Sequence, residues 1–369
     1  MNENRNILGI KSELVLVIVL FLSSSIVLAQ SDTTQVTLTF IGDVMGHDSQ
    51  INAAYQKQTD KYDYASYFKH LESHTSKSDF TIANLEVTLG MKPYKGYPQF
   101  SSPPALASAL KDAGIDALVT ANNHSCDRGK EGIIKTIDIL DSLEIPHTGT
   151  YKNAENRAKN SPMILEKNSI RIALINYTYG TNGLPAPAPT IVDRIDKEQI
   201  AKDIRKAQKS YVDQIIVFTH WGLEYQSNPS KAQIDLYKFC IDNGADIVIG
   251  SHPHVIQRIE KHEDGFIAYS LGNFVSNQRK AKTDGGMMVN ITLTKSGELT
   301  WVSDASYTLT WVYTPFENGR KTFYILPAAE FESNMDFFPS IEDYEAMKLF
   351  IDDSRKLLNE QNVNVPEKK

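Results

Sequence analysis

Apolar positions along this chain follow two alternating periodicities. Short aliphatic and β-branched runs occur at 36–41, 80–83, 117–120, 215–219 and 247–249. Runs of this kind, bounded by polar residues, predict strands buried on both faces. Between most of them the period lengthens. Residues 130–143 place Ile133, Ile134, Ile137, Leu140 and Leu143 at helical spacing, and 200–211 and 232–241 also read as helices. Strands alternating with helices predict parallel pairing through right-handed crossovers. Residues 163–166 and 171–176, joined around Lys167-Asn168, predict a hairpin. Further antiparallel strands are expected at 256–261, 266–271 and 287–294. From about Ser340 the pattern predicts a solvent-facing helix and a frayed tail ending Pro366-Glu367-Lys368-Lys369. The expected fold class is α/β, a mixed β-sandwich flanked by helices.

The longest uncharged apolar run stands outside this alternation. Residues 14–29 carry no charge and end in Val27-Leu28-Ala29 before Gln30, the pattern of a secretory signal peptide over 1–29. The run falls short of the roughly 20 residues that span a bilayer. The alternative is an uncleaved N-terminal anchor, the only route by which a membrane partner is expected. The remaining chain divides into one domain over 36–330 and a C-terminal helix and tail over 331–369. The stretch Leu184-Pro185-Ala186-Pro187-Ala188-Pro189 can be neither helix nor central strand and reads as a loop within that domain. The mature protein is expected to be exported, whether periplasmic, extracellular or in the cell envelope.

Composition narrows the chemistry. With 38 basic and 45 acidic side chains in 369 residues, the net charge is −7, and no basic run compensates for it. A nucleic-acid partner held by its phosphates is therefore not expected. The two cysteines, Cys126 and Cys240, can supply neither a disulfide framework nor a thiolate zinc site. Export would permit one disulfide between them, but two small buried or half-buried thiols are the expectation. Any metal must be held by nitrogen and oxygen.

Each buried run delivers such ligands at its carboxyl end. The five runs lead into Gly42-Asp43-Val44-Met45-Gly46-His47, Asn84-Leu85-Glu86, Ala121-Asn122-Asn123-His124, His220-Trp221-Gly222 and Gly250-Ser251-His252-Pro253-His254. This is the edge at which open α/β sheets bind ligands. These ends use five of the nine histidines. Carboxylates and imidazoles without thiolates suit Mn, Zn, Fe or Ni, and suit calcium poorly. With this many ligands, two ions about 3.5–4 Å apart are the natural reading. A Walker-type phosphate loop and a Gly-x-Ser-x-Gly elbow are both absent from the sequence, which argues against P-loop and serine-hydrolase chemistry. Asp284-Gly285-Gly286 reads as a turn before a strand.

The ordered set Gly42-Asp43, Asn123-His124, His220 and Gly250-Ser251-His252-Pro253-His254 resembles the calcineurin-like metallophosphoesterase superfamily. Further blocks narrow the resemblance to the CapA family of capsule or poly-gamma-glutamate synthesis proteins. They are Asn84-Leu85-Glu86, Asn122-Asn123-His124 with Asp127-x-Gly129, His220-Trp221-Gly222-x-Glu224-Tyr225, His252-Pro253-His254-Val255 and Tyr269-Ser270-Leu271-Gly272-Asn273-Phe274. The resemblance covers about 37–327 and implies a four-layer αββα arrangement holding two divalent ions (Mn, Zn or Fe). It implies that Asp43 and His254 bind the first ion, that Glu86 bridges, and that Asn123, His220 and His252 bind the second. His124 would be the acid that protonates the leaving oxygen. Trp221, Glu224 and Tyr225 are expected in the walls, and His70, His74, His147 and His262 on the surface or in loops.

Two departures from the resemblance bear on activity. Met45 stands where the superfamily commonly has histidine, and a thioether is a poor ligand for such cations. His47 or water could fill that position. No aspartate-arginine pair follows the second strand, so the usual phosphate-clamping guanidinium is missing there. Arg128 could replace it, although a solvent-facing arginine is the plainer reading. Three functions stay open on this basis: hydrolysis of a phosphoester at a two-metal centre, non-catalytic binding of an anionic polymer together with capsule-assembly proteins, and amide hydrolysis of that polymer. A polymer binder of net charge −7 needs a local positive centre, either metal ions or the basic run Arg279-Lys280-Ala281-Lys282.

Overall fold

The computed structural model describes residues 33–317 and 319–368. The expected segment 1–29 lies outside the described residues. Among the described residues no helix is long and apolar enough to cross a membrane.

Two mixed sheets face one another. In the first, Thr33–Val44 lies at the centre, parallel to Phe80–Leu85, which is followed by Ala117–Val119 and His147–Thr148. On its other side it is antiparallel to Gly285–Ser296, beyond which come Leu299–Tyr313 and Tyr324–Pro327. In the second sheet Ile170–Thr178, Gln214–His220, Ile247–Ser251 and Phe266–Ala268 run parallel. Met163–Lys167 and Ile259–Lys261 close its edges antiparallel.

Side-chain alternation builds the layers. Val36, Leu38 and Phe40 pack between the sheets with Ile82, Val119, Ile172, Leu174, Ile216, Phe218 and Ile249. The opposite face of the first sheet, including Ile41, Ala83 and Leu118, is covered by Leu106, Ala107 and Leu110 of helix Ala105–Asp112. The outer face of the second sheet is covered by Ile200, Ile204 and Ala207 of Lys197–Gln208 and by Leu236, Tyr237 and Cys240 of Lys231–Asp242. Helix, sheet, sheet, helix is the order expected. Cys126 and Cys240 are free, buried thiols in separate clusters.

The expected strands and helices recur with shifted ends, and the 163–176 hairpin turns through Asn168 and Ser169, both at positive φ (51° and 61°), as a two-residue hairpin turn requires. Four features differ from expectation. Phe266–Ala268 pairs antiparallel on one side only and is parallel to Ile247–Ser251 on the other. Leu299–Tyr313 is a 15-residue strand whose alternation is broken by a bulge near Ser303, which hides its periodicity. The helix Ile341–Gln361 is not solvent-facing. It buries Met347, Phe350, Ile351 and Leu358 in the inter-sheet cluster. Nor is the tail frayed. The Val363 N–H donates to Ile259 O (3.0 Å), its carbonyl accepts from Lys261 N–H (2.9 Å), and Arg355 holds both Glu332 and Glu367. The sheet ends leave an apolar opening that this helix stripe closes, and burying it outweighs solvating its polar face.

Phe350→Ala is accordingly expected to lower unfolding free energy by about 3–5 kcal/mol in urea titration. A solvent-facing helix would show almost no change.

Candidate metal centre

The parallel strands of both sheets point their carboxyl ends to one rim, where Asp43, Glu86, Asn123, His124, His220, His252 and His254 are all buried. A β-bulge at Gly42 sets the first of them. Ile41 pairs with Ala83 and Asp43 with Asn84, so Gly42 is skipped and Asp43 is re-aimed. A Cβ on Gly42 would lie 2.0 Å from Gly272 O, and only glycine permits that approach. The Asp43 N–H then donates to Gly272 O (3.1 Å).

Asp43 and the histidines are interlocked. Asn84 Nδ2 donates to Asp43 Oδ1 (2.8 Å), and His254 Nδ1 lies 3.1 Å from Asp43 Oδ2 and 3.1 Å from Asn273 Oδ1. Three potential ligand atoms meet at His220: its Nε2 is 2.9 Å from Asn123 Oδ1, 3.1 Å from His252 Nδ1 and 3.5 Å from Glu86 Oε1. Ser251 Oγ, 3.1 Å from His220 Nδ1, can accept the ring proton and leave the Nε2 lone pair facing the cluster. His252 and His254 adopt φ of 99° and 58° around Pro253. Such backbone costs roughly 1–3 kcal/mol per residue and concentrates at functional sites.

Glu86 is the anomaly. Its side chain is fully buried, and neither carboxylate oxygen has a hydrogen-bond partner. Burial first, and then the adjacent Asp43 charge, hold its carboxyl well above the ordinary glutamate range. Burial also pushes His220 well below its usual value and His252 down to about 3, each further lowered by neighbouring imidazoles. Neutral imidazoles around orphaned carboxylate oxygens form a donor set without donors to spare. A divalent cation fits it. Ligand atoms of Glu86, His252 and His254 lie within 4.8 Å of one another, as do those of Asp43, Glu86 and His220. Glu86 belongs to both groups.

His124 stands beside this cluster. Its Nδ1 is 2.8 Å from Asp127 Oδ2, which also accepts the Phe100 N–H (2.7 Å). The Phe100 ring meets His124 edge-on at 4.6 Å. Asp127 thus fixes the tautomer with Nδ1 protonated and leaves Nε2 as the exchanging nitrogen.

Other expectations divide. Met45 is buried in the apolar cluster behind the first sheet. His47 caps helix Asp48–Ala54, with Nδ1 3.2 Å from Asn277 N and 3.0 Å from Gln50 Oε1, and is absent from both ligand groups. Arg128 donates to Pro93 O (3.2 Å). Trp221 is buried, with Nε1 donating to Tyr269 O, while Glu224 and Tyr225 are exposed and Tyr225 lies 6.1 Å from the His254 ring. His70, His74 and His147 are half-buried and His262 is exposed.

Several contributors had no role assigned from sequence. The Tyr179 ring lies 4.6 Å from the His252 ring, tilted by 44° to it. Asn176, fully buried, accepts from Thr120 N–H (3.1 Å) and Ala121 N–H (2.7 Å) and donates to Phe218 O (3.1 Å). It therefore ties the Asn123–His124 loop to the strand carrying His220. Its only sequence signal was an amide near the end of an apolar strand.

Fold and rim together define a two-sheet α/β protein with a histidine–carboxylate cluster at the strand ends. The chain matches the model of the family described as bacterial capsule synthesis protein PGA_cap over residues 37–278, and it belongs to that family. It is similar to the capsule biosynthesis protein CapA of Bacillus anthracis, with 29% identity over 72% of this chain and 66% of that one. It is also similar to the PGA biosynthesis protein CapA of Bacillus subtilis, with 30% identity over 70% of this chain and 68% of that one. The chain thus spans about two thirds of the length of these relatives. Among solved structures, the calcineurin-like phosphoesterase YfkN of Bacillus subtilis superposes with a TM-score of 0.47 at 14% identity, covering 87% of this chain and 100% of that one. For the NAD nucleotidase of Haemophilus influenzae the TM-score is 0.49 at 12% identity, covering 88% of this chain and 68% of that one.

Glu86→Gln should abolish retention of metal in elemental analysis of the purified protein. In metal-free samples at pH 8, urea titration should find this variant at least as stable as the wild type, because an unpaired buried charge is removed. The raised folded pKa of Glu86 sets the sign: wild-type stability falls relative to the variant as pH rises above about 4.3, the unfolded value.

Proposed function

We propose that this chain is an exported CapA-type protein whose rim holds two divalent ions (Mn, Zn or Fe) and hydrolyses a phosphoester in capsule or poly-gamma-glutamate biosynthesis. The observation that carries the reading is the fully buried Glu86 carboxylate with both oxygens unpartnered among Asp43, His220 and His254. In this reading Asp43 and His254 would hold one ion, Asn123, His220 and His252 would hold the other, and Glu86 would serve both. Bound ions would supply Lewis acidity and lower the pKa of water at the reacting phosphorus.

The chain's own groups do the rest. Asp127 keeps the His124 proton on Nδ1, so that Nε2 can carry the proton delivered to the leaving oxygen. Phe100 braces that ring. Asn84 and Asn273 orient Asp43 and His254, and Asn176 holds the two sheets' loops in register. Burial of the whole set excludes bulk water from the ligand atoms.

A second reading is binding of an anionic polymer without hydrolysis, alongside capsule-assembly proteins. It is favoured by Met45, sunk in the core at the position where the superfamily commonly has a histidine. Amide hydrolysis of the polymer would use the same rim on a different bond.

The deciding experiment pairs elemental analysis with a screen of phosphodiesters, phosphomonoesters and gamma-glutamyl peptides. His124→Ala is expected to cut turnover by about 10²–10⁴-fold with metal content unchanged. Unchanged turnover would remove His124 as the acid. Polymer affinity without turnover on any substrate would establish the binding reading instead.

A further inference from the structure

Resting on the metal-site reading but reaching beyond it, we infer that Lys280, seated on the ring of Tyr225, forms an anion subsite beside the metal centre. The subsite takes a carboxylate or phosphate group on the Tyr225 side of the centre.

Tyr225 is fastened to the loop of the two rim histidines. Its N–H donates to Pro253 O (2.8 Å), its backbone sits at φ 65°, and its ring centroid is 6.1 Å from that of His254. The Lys280 Nζ lies 3.9 Å from the Tyr225 centroid, and both residues are exposed. No carboxylate lies within ion-pair reach of Lys280 among the described residues. An aromatic seat holds an ammonium in place without neutralising it, so the charge stays free for a ligand at reduced ordering cost.

The loop bearing Lys280 is tied to the site at both ends. Asn277 N–H approaches His47 Nδ1 (3.2 Å), and Asn273 Nδ2 donates to Gln278 Oε1 (3.0 Å) and Thr283 O (2.8 Å). Asn273 is also the partner of His254. Within the basic run, Arg279 is spent on structure, since its guanidinium donates to Val312 O and Ser276 O. Of the two lysines in the run, Lys280 is the one seated on the aromatic ring beside the site. Glu224 adjoins Tyr225, so the lysine must outweigh a nearby carboxylate, and bound divalent ions would add positive potential in the same direction. A chain of net charge −7 repels anions at long range, which makes a fixed local cation the feature that selects them.

Calorimetric titration of the full chain tests the subsite, with metal content counted on the same samples. A γ-linked glutamate trimer probes for carboxylate, and inorganic pyrophosphate probes for phosphate. Lys280→Gln is expected to weaken at least one probe by about tenfold at unchanged metal content, with Lys280→Arg restoring most of the affinity. The probe that responds identifies the anion. Equal affinity of Lys280→Gln and wild type for both probes overturns the inference, as does failure of the wild type to bind either. A loss that accompanies metal loss overturns it too, because it then acts through the centre. The metal reading fails on a separate observable: if the wild type retains no ion, that reading falls, while the Lys280 comparison still reports on the subsite.

Discussion

A carboxylate kept from water and from every hydrogen-bond donor is a large electrostatic liability, and the rim of this protein is organised around one. Glu86 follows a strand buried on both faces, with Asp43 on the neighbouring strand and three imidazoles around them. In a low-dielectric setting an unpaired charge costs several kcal/mol, by order of magnitude, unless it is neutralised or matched. Protonation is one escape, and a divalent cation is the other. The second also gives the imidazoles and the Asn123 oxygen something to bind.

The scaffold makes that arrangement rigid. Bulging at Gly42 turns Asp43 inward, the positive-φ backbone of His252 and His254 sends their rings to one side, and Asn176 bridges the two sheets immediately beneath the rim. Behind the rim lies an apolar filling of aliphatic side chains from both sheets. The C-terminal helix completes that filling, so a segment remote from the rim helps hold the sheets that position it. Family membership places the chain among the proteins described as bacterial capsule synthesis proteins.

Much of this was legible in the residues. The inward strands were plain because each is a short apolar run ending in a polar ligand type. The hairpin through Asn168 and the helix Gly129–Ser142 followed from periodicity alone. Illegible parts share a cause. Leu299–Tyr313 hides its alternation in a bulge, and Ala105–Asp112, at eight residues, is too short for its apolar period to stand out. The C-terminal helix has a polar majority, and its four buried apolar residues count only once a gap exists for them.

Local order in the sequence determined which residues end each strand, hence the ligand types available and the absence of thiolates among them. Tertiary structure alone decided that Asp127 orients His124, that Asn176 joins the two sheets, that Arg128 is turned to Pro93 and that Lys280 rests on Tyr225. Side-chain periodicity is set by neighbours along the chain, whereas a contact between residues far apart in sequence depends on how the sheets twist and meet. That geometry is a property of the packed whole and leaves no periodic trace in the order of residues.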